Sequence, residues 1–280
     1  MMQGSSLNPN DVTVLGGGGF IGSHLVRYLQ QQGRTCHVPS KGDDAIFARP
    51  LGHVVYAIGL TADFRSRPFD TVEAHVCFFR RLLQEGNFES LTYLSSTRVY
   101  SGVSDTAETA TLKVNPNEPG DLYNLSKLMG ESLCLHGGRP NVKVARLSNI
   151  VGLRPDPDIF IDQLLEEGCR TGKVEFRTAL ESKKDYLYID DAVMLIDRIA
   201  NSLHAGIFNV ASGEGVANGE IADALQSIMG FDISVEPNAP AWDFTEIDIS
   251  KAKRLFGFSP QPFSTYFPAY LHAYRQKKGC

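Results

Sequence analysis

The sequence lacks the features that would place the protein in a membrane or on a nucleic acid. No apolar run approaches the roughly 20 residues needed to cross a bilayer. Lys and Arg number 27 against 32 Asp and Glu, which gives a net charge of −5 and no general basic surface. We therefore expect neither a membrane nor a nucleic-acid partner. A phosphate-bearing ligand would need local cations or backbone N–H groups.

Cysteine is scarce and is not spaced for metal binding. The cysteines are Cys36, Cys77, Cys134, Cys169 and Cys280. An odd, dispersed set indicates free thiols in a reducing compartment, and no carboxylate and histidine cluster indicates a metal site. The opening MMQGSSLNPND has neither a basic nor an apolar segment, so we expect no signal peptide and a cytoplasmic protein.

The glycine-rich stretch VTVLGGGGFIGSHL is the strongest motif in the chain. Three of its glycines fall three apart, between a strand-like TVL and an amphipathic, helix-like segment. A flexible turn explains one or two such glycines but not three at this spacing. One glycine would make the turn, one would let backbone N–H groups approach a pyrophosphate, and one would let helix and strand pack closely. The predicted dinucleotide contacts here are Gly16, Gly19, Phe20, Ile21 and Gly22.

Strand-like and helix-like segments alternate over the first half of the chain. The predicted strands are residues 13–15, 35–38, 53–58, 91–95 and 142–147, and the predicted helices are residues 20–32, 69–84 and 121–136. This order specifies a parallel sheet with right-handed crossovers. The segment GDDAIFARPLG, between the second and third strands, is too short for a full helix and strand, so we expect a truncated unit there.

The second half of the chain departs from this alternation and is richer in glycine and proline. We predict an α/β fold with a Rossmann-like doubly wound parallel sheet in residues 1–152. Residues 153–280 would form a smaller, interleaved substrate-binding lobe, with segments near 185–212 returning to the sheet. Ligands of such sheets bind at the carboxyl ends of the strands, so we expect the chemistry there.

Two segments at those strand ends carry side chains suited to acid–base chemistry. The strand LTYL runs into SSTRVY, which contains Ser95 and Ser96, and Tyr123 and Lys127 lie four apart on one face of a predicted helix. A free tyrosine, with a pKa of about 10, is a poor base at neutral pH. We expect the Lys127 ammonium to lower that pKa and Ser96 to hold the substrate oxygen. Tyr-x-x-x-Lys alone would indicate only a surface helix.

Taken together, the glycine motif, SSTRVY and Tyr123-x-x-x-Lys127 resemble the extended short-chain dehydrogenase/reductase family, in its nucleotide-sugar branch. The segments RLSNIVG, KKDYLYIDD, FNVASG and DISKAKRLFGFSP resemble later parts of the same family, so the likeness covers nearly the whole chain. The resemblance implies that Ser96 is the catalytic serine, that Tyr123 is the acid/base, and that Lys127 also holds the nicotinamide ribose. The remaining expected cofactor contacts are Ala57, Ile58, Gly59 and Ser95.

Departures from the family pattern narrow the reaction. The branch's 4,6-dehydratases follow the catalytic threonine with Asp-Glu, and its sugar-acid decarboxylases need the glutamate, whereas Thr97-Arg98 stands here. The bifunctional 3,5-epimerase/reductases place a cysteine where Arg98 stands. Simple hydride chemistry remains. His75 occupies a position that is usually asparagine, and we interpret it as structural or cofactor-adjacent.

We therefore expect an NAD(P)-dependent oxidoreductase that reduces a keto group, at C4, of a nucleotide-activated sugar. Three alternatives stay open: an epimerase that oxidises and re-reduces C4 with inversion, a reductase of a non-sugar carbonyl, and a dinucleotide-binding regulator without catalysis. The candidate substrate contacts are Arg98, Asn149, Arg154 and Arg177.

The tip of the second predicted strand bears on the choice of cofactor. NAD binding normally uses an acid about 20 residues past the glycines, on the ribose 2′-hydroxyl. Here Ser40 and Lys41 stand at the tip, and Asp43 and Asp44 follow. A hydroxyl and a cation suit a 2′-phosphate, so we favour NADP(H) over NAD(H). In the alternative, one of the two aspartates reaches back to the ribose.

The helices at 69–84 and 121–136 carry more apolar residues than a single buried stripe needs. These residues are Val76, Phe79, Leu83, Leu125, Leu128 and Leu135. In the resembled family the two helices pair with their copies in a four-helix bundle, so we expect a homodimer.

Overall fold

Strands separated by helices make up most of the computed structural model, which describes residues 11–61, 63–154, 159–242 and 244–280. The strands are β1 Val12–Leu15, β2 Cys36–His37, β3 His53–Tyr56, β4 Ser90–Ser96, β5 Val142–Leu147, β6 Asn149–Val151, β7 Lys173–Phe176, β8 Lys183–Tyr188, β9 Gly206–Val210, β10 Gly215–Ala217 and β11 Asp232–Val235. The α-helices are α1 Phe20–Gln31, α2 Pro68–Val72, α3 Phe78–Glu85, α4 Asp121–His136, α5 Phe160–Thr171, α6 Ile189–Asn201, α7 Asn218–Ala224, α8 Ser250–Phe256 and α9 Phe263–Lys278.

The main sheet has the strand order β2-β1-β3-β4-β5-β9 within the described residues, and every pair in it is parallel. Helices cover both faces. On one face Leu25, Ile196 and Ala252, from α1, α6 and α8, belong to one buried cluster. On the other face Phe79 and Cys134, from α3 and α4, belong to a second cluster. The predicted doubly wound parallel sheet is confirmed.

Most element bounds agree with the sequence prediction to within two residues. The helix predicted at 69–84 is continuous from Pro68 to Glu85, because a π turn, Glu73–Cys77, joins α2 to α3. A 3₁₀ turn, Asp44–Phe47, replaces a full crossover helix between β2 and β3. The sheet unit expected to be truncated there is indeed truncated.

The second lobe surrounds two small sheets, with orders β10-β8-β6 and β11-β7. Its core is rich in aromatic side chains, among them Phe176, Tyr186, Phe263 and Phe267. The chain returns to the main sheet at β9, beside β5, while β8 stays in the small sheet beside β6. This crossing of the chain places β6 and β8 next to the carboxyl ends of the main strands.

The prediction of five free cysteines is wrong. Cys169, in α5, and Cys280 form a disulfide across 111 residues of sequence, whereas Cys36, Cys77 and Cys134 are free. Packing of α9 in the second lobe brings the pair together, which residue spacing could not indicate. The cytoplasmic location therefore loses its support from the cysteines and stays a prediction.

Candidate active site

The glycine turn between β1 and α1 requires glycine for steric reasons. Gly16 has a φ of +86°, and a Cβ there would lie 2.8 Å from the carbonyl carbon of Ala57, just past β3. A Cβ on Gly22 would overlap the Gly16 carbonyl, so this glycine lets α1 pack against the turn. Gly18, by contrast, faces open space. The turn is therefore fixed at two points and open at its outer edge.

The amino end of α1 faces the space above this turn. Gly19 is the N-cap, no side chain caps the helix, and the first turn carries no charged residue. Within the described part of the chain, no group accepts a hydrogen bond from the N–H of Phe20 or Ile21. Backbone donors at a helix N-terminus attract anions. The Phe20 and Ile21 N–H groups are therefore available donors beside the glycine turn.

The segment after β3 connects the glycine turn to His75 and to Lys127 of α4. Ala57 and Ile58 pack against Gly16, and a Cβ on Gly59 would lie 3.1 Å from His75 Nε2 and 3.4 Å from Lys127 Nζ. Ala57, Ile58 and Gly59 therefore form a continuous segment that contacts the glycine turn at one end and Lys127 at the other.

Ser96 and Tyr123 meet at the carboxyl end of β4. Ser96 is the last residue of β4 and Tyr123 lies in the first turn of α4. The neighbouring Ser96 hydroxyl acts to lower the pKa of Tyr123, as does the charge of Arg98. Burial outweighs both and raises the pKa of Tyr123 above 10.0. The expected low tyrosine pKa is not found, and Tyr123 keeps its proton at neutral pH.

Lys127 lies one helical turn beyond Tyr123 and is 4% exposed. Its Nζ donates a hydrogen bond to the Leu94 carbonyl at 3.0 Å and lies 5.8 Å from the centre of the Tyr123 ring. Burial lowers the pKa of Lys127 to about 7, against the opposing attraction of Glu131. The ammonium is therefore only partly populated at neutral pH before a ligand binds.

His75 positions Tyr123 through a short hydrogen-bond chain. The N–H of Leu60 donates to His75 Nε2 at 3.2 Å, so Nδ1 carries the ring proton and donates to Ser126 Oγ at 2.8 Å. Ser126 then donates to the Tyr123 carbonyl. Burial, with repulsion from Lys127, lowers the pKa of His75 to about 2, so the ring is neutral. These contacts agree with the interpretation of His75 as structural.

A buried polar network beneath this site was missed by the sequence analysis. Ser95 donates to Glu131, and Arg146 donates to both oxygens of Glu131, at 3.0 and 2.6 Å. Arg146 also donates to the Tyr100 hydroxyl at 2.7 Å. Ser95 thus supports α4 from below. The one available signal was the spacing of Glu131, four residues after Lys127 on α4.

The four candidate substrate contacts are placed differently. Arg98 is exposed beside the Tyr123 ring, 5.8 Å from guanidinium carbon to ring centre. Asn149 donates to the Asp185 carbonyl at 2.8 Å. Arg154 stacks on the Phe20 ring and forms a buried ion pair with Asp162 at 2.9 Å. Arg177 is exposed just after β7.

Arg154 therefore joins the second lobe to α1, and we do not include it among the proposed substrate contacts. The sequence analysis missed Phe64, Arg65 and Lys184, which lie close to Arg98. Phe64 is 2% exposed, and its ring centre lies 5.3 Å from that of Tyr123. The segment between β3 and α2 carried no motif that pointed to this cluster.

At the tip of β2, Ser40 and Lys41 are exposed. Asp43 caps the 3₁₀ turn by accepting from the Ala45 N–H and pairs with Arg49 at 3.2 Å. Asp44 pairs with Arg81 at 2.8 Å. Both carboxylates are thus engaged within the protein, while the hydroxyl and the ammonium face solvent.

Over the described ranges, no helix is long and apolar enough to span a bilayer. In the same residues, no three His, Cys, Asp or Glu side chains are grouped to hold a metal ion.

Comparison with known proteins gives a consistent result. The family model described as the NAD dependent epimerase/dehydratase family matches residues 12–211. A dTDP-4-dehydro-6-deoxyglucose reductase of Escherichia coli is 26% identical over 68% of this chain and 62% of its own. A GDP-6-deoxy-D-mannose reductase of Pseudomonas aeruginosa is 26% identical over 79% of this chain and 81% of its own. A UDP-glucuronic acid decarboxylase of Arabidopsis thaliana is 24% identical over 89% of this chain.

The chain spans 62% and 64% of the length of the Escherichia coli and Arabidopsis thaliana relatives. Among solved structures, MoeE5 in complex with UDP-glucose and NAD superposes with a TM-score of 0.82 at 20% identity, over 96% of this chain and 100% of that one. RMD from Pseudomonas aeruginosa, complexed with NADPH, gives 0.75 at 22% identity, over 95% and 99%. At these identities the superpositions establish the fold.

Proposed function

Because the chain belongs to the NAD dependent epimerase/dehydratase family, we propose that it is an NAD(P)-dependent reductase of a keto group, at C4, of a nucleotide-activated sugar. One observation carries the proposal. Ser96 and Tyr123 lie together at the carboxyl end of β4, Lys127 Nζ lies 5.8 Å from the centre of the Tyr123 ring, and Gly59 joins Lys127 to the residues that pack on Gly16. This arrangement can hold a carbonyl oxygen and deliver a proton to it.

The glycine turn fits a dinucleotide. A side chain at Gly16 or Gly22 would clash with neighbouring backbone atoms and change the shape of the turn. The free N–H groups of Phe20 and Ile21 would donate to the pyrophosphate. Lys127 and Gly59 would then flank the nicotinamide ribose. When bound, such a cofactor supplies the hydride.

The protein's own residues handle the proton. Tyr123 is protonated at neutral pH because burial raises its pKa, so it can donate the proton that the reduced carbonyl oxygen requires. Ser96 holds the same oxygen through its hydroxyl. The protonated form of Tyr123 is the form that a reduction step uses.

The segment after Ser96 argues against dehydration. Thr97 and Arg98 begin the 3₁₀ turn Thr97–Tyr100, where a dehydratase of this branch would need an acid and a base. A threonine and a guanidinium cannot remove and return protons at neutral pH, because arginine stays charged and threonine is not acidic. The remaining chemistry is hydride transfer with one proton.

Cofactor consumption tests the proposed function. Purified protein is incubated with NADPH and 4-keto sugars carried on UDP, dTDP or GDP, and absorbance at the reduced nicotinamide band is followed. A reductase consumes one reduced cofactor for each 4-hydroxy nucleotide sugar formed. An epimerase would interconvert two nucleotide sugars that differ in configuration at C4, without net cofactor consumption. That outcome would overturn the reductase assignment while retaining the family chemistry.

We also propose that NADP(H) is preferred over NAD(H). Asp43 and Asp44 are engaged by Arg49 and Arg81, which leaves Lys41 and a neighbouring hydroxyl for a 2′-phosphate. An exposed cation and a hydroxyl at a phosphate each contribute about 1 kcal/mol, which corresponds to a ten- to hundred-fold preference for NADP(H).

Calorimetric titration of both dinucleotides tests this preference. The double variant Ser40→Asp, Lys41→Ala should reverse it, because a carboxylate accepts the 2′-hydroxyl and repels the phosphate. Equal affinity of the wild type for NAD(H) and NADP(H) would contradict the assignment of this strand tip. Binding of neither would contradict the role given to the glycine turn.

A further inference from the structure

Two arginines converge beside Tyr123 without a carboxylate to neutralise them. The guanidinium carbons of Arg65 and Arg98 lie 4.6 and 5.3 Å from the centre of the Phe64 ring. Phe64 in turn packs against Tyr123. Both arginines are exposed to solvent, so a ligand can reach them. The described residues place no Asp or Glu within ion-pair distance of either guanidinium.

Gly120 makes room for this pair. A Cβ there would lie 3.0 Å from Arg98 Nη2 and 3.6 Å from Arg65 Nη2. The two guanidinium groups thus approach the same point at the amino end of α4. Burial, and then repulsion from Arg65, lowers the pKa of Arg98.

The nearest acidic group is already occupied. Asp121 attracts Arg98, but one of its carboxylate oxygens accepts from the Asn115 N–H and the other from Asn124 Nδ2, both at 2.7 Å. In a chain with a net charge of −5, Arg65 and Arg98 form a local pair of positive charges beside Phe64 and Tyr123. Like charges held together repel each other, and an anion between them removes that cost.

From this geometry we infer that Arg65 and Arg98 bind a carboxylate carried by the sugar of the substrate, which makes a uronic-acid-type sugar the preferred substrate class. The inference rests on the proposed function, because it assumes that the reacting carbon is C4, whose oxygen would contact Ser96 and Tyr123. It adds that the same sugar carries a carboxylate.

The ring geometry of a pyranose favours the sugar carboxylate over the diphosphate as the occupant. If C4 lies at Tyr123, then C1 and its nucleoside diphosphate lie across the ring, away from Tyr123. The neighbouring carbon C5 carries C6, the position of the carboxyl group in a uronic acid. Arg98, 5.8 Å from the centre of the Tyr123 ring, is near enough to contact C6. Guanidinium groups bind carboxylates through paired N–H donors.

The experiment compares two nucleotide sugars that differ only at C6. UDP-glucose and UDP-glucuronic acid are titrated into the protein loaded with NADP⁺, and the pair is repeated with dTDP as the nucleotide. The wild type should bind the uronic acid at least about ten-fold more tightly. Arg98→Met should bring the ratio close to one and leave the affinity for UDP-glucose unchanged, and Arg65→Met should reduce it partly.

Arg170→Met, an exposed arginine in the last turn of α5, is the matched control and should keep the wild-type ratio. Unchanged cofactor affinity verifies that each variant is folded. Equal binding of the two sugars by the wild type would overturn the inference. So would an Arg98→Met variant that loses affinity equally for both sugars and for free UDP, because Arg98 would then contact the diphosphate. If cofactor binds but no nucleotide sugar does, the proposed function itself fails.

Discussion

At the scale of single residues, burial sets the protonation state of the site. Tyr123, Lys127 and His75 are all buried, and burial moves each pKa toward the neutral form of the side chain. The unliganded site is thus built from a protonated tyrosine, a partly neutral lysine and a neutral histidine. Such a site is ready to give up a proton, and it gains an ammonium when an anionic ligand favours protonation of Lys127.

Removing the Tyr123 hydroxyl tests its role as the acid. Tyr123→Phe should lower turnover by on the order of 10²–10⁴, the usual contribution of a positioned acid or base, and should leave cofactor affinity nearly unchanged. Steady-state kinetics and calorimetry measure the two effects. Tyr28→Phe, at a half-buried tyrosine of α1, is the control. Near-wild-type turnover of Tyr123→Phe would remove the hydroxyl from the mechanism.

Lys127 should make stability depend on pH. Its pKa is about 7 when folded and 10.5 in the ordinary case, so between these values the unfolded chain binds more protons. The free energy of unfolding therefore rises with pH across that window. Relative to Lys127→Met, the wild type should gain on the order of 3 kcal/mol between pH 7 and pH 9.5.

Denaturant unfolding of the cofactor-free proteins at several pH values measures this difference. Other groups with shifted pKa values, such as Lys143 at about 8, are present in both proteins and cancel. Parallel pH profiles for wild type and variant would show that Lys127 is not desolvated in the folded protein.

At the scale of elements, two glycines of the same turn differ in whether the structure has room for a side chain. Gly22 lies where α1 presses on the carbonyl of Gly16, while Gly18 has no atom near its missing Cβ. Both are glycines of the same five-residue neighbourhood, and only their surroundings differ. The contact of α1 with the turn, rather than glycine content, holds the anion-binding donors in place.

The pair Gly22→Ala and Gly18→Ala separates these two roles. Gly22→Ala should destabilise the cofactor-free protein by about 1–3 kcal/mol or more, because the new methyl group overlaps a backbone carbonyl. Gly18→Ala should leave its thermal midpoint within about 2 °C. Scanning calorimetry without cofactor is the measurement. Equal midpoints for the two variants would contradict the packing role of Gly22.

At the scale of the whole molecule, one layer carries uncovered apolar side chains. Phe69 is 88% exposed, Met129 52% and Leu135 46%, all on the layer formed by α2, α3 and α4. Two of the residues that suggested a dimer, Phe79 and Leu83, are instead buried under this layer. The predicted homodimer therefore depends on the outer residues.

A charge on this layer should dissociate the proposed dimer. Met129→Glu should be a monomer at micromolar concentration where the wild type is a dimer, because an unpaired carboxylate in an apolar interface is costly. Sedimentation velocity measures the mass. Leu203→Glu, at a fully exposed leucine after α6 on the other side of the sheet, should remain dimeric. A monomeric wild type would rule out this interface.

Local pattern determined much of the fold, because helix and strand periodicity and glycine sterics act over a few residues. The bounds of α4 and β5 follow from their apolar spacing, and the coincidence of Tyr123 and Lys127 with strand-end serines placed the candidate site at the carboxyl edge of the sheet. These features depend on neighbours along the chain, so the sequence by itself contains them.

Tertiary structure decided everything that depends on distance through space. The Cys169–Cys280 disulfide joins positions 111 residues apart, and the contact of Arg154 with the Phe20 ring joins the second lobe to α1. The pKa of Tyr123 is raised, contrary to the expectation, because burial, a property of the packed molecule, outweighs the Ser96 hydroxyl and the charge of Arg98. Arg65 reaches Arg98 for the same reason: the segment after β3 packs Phe64 onto Tyr123, a contact that only the folded chain creates.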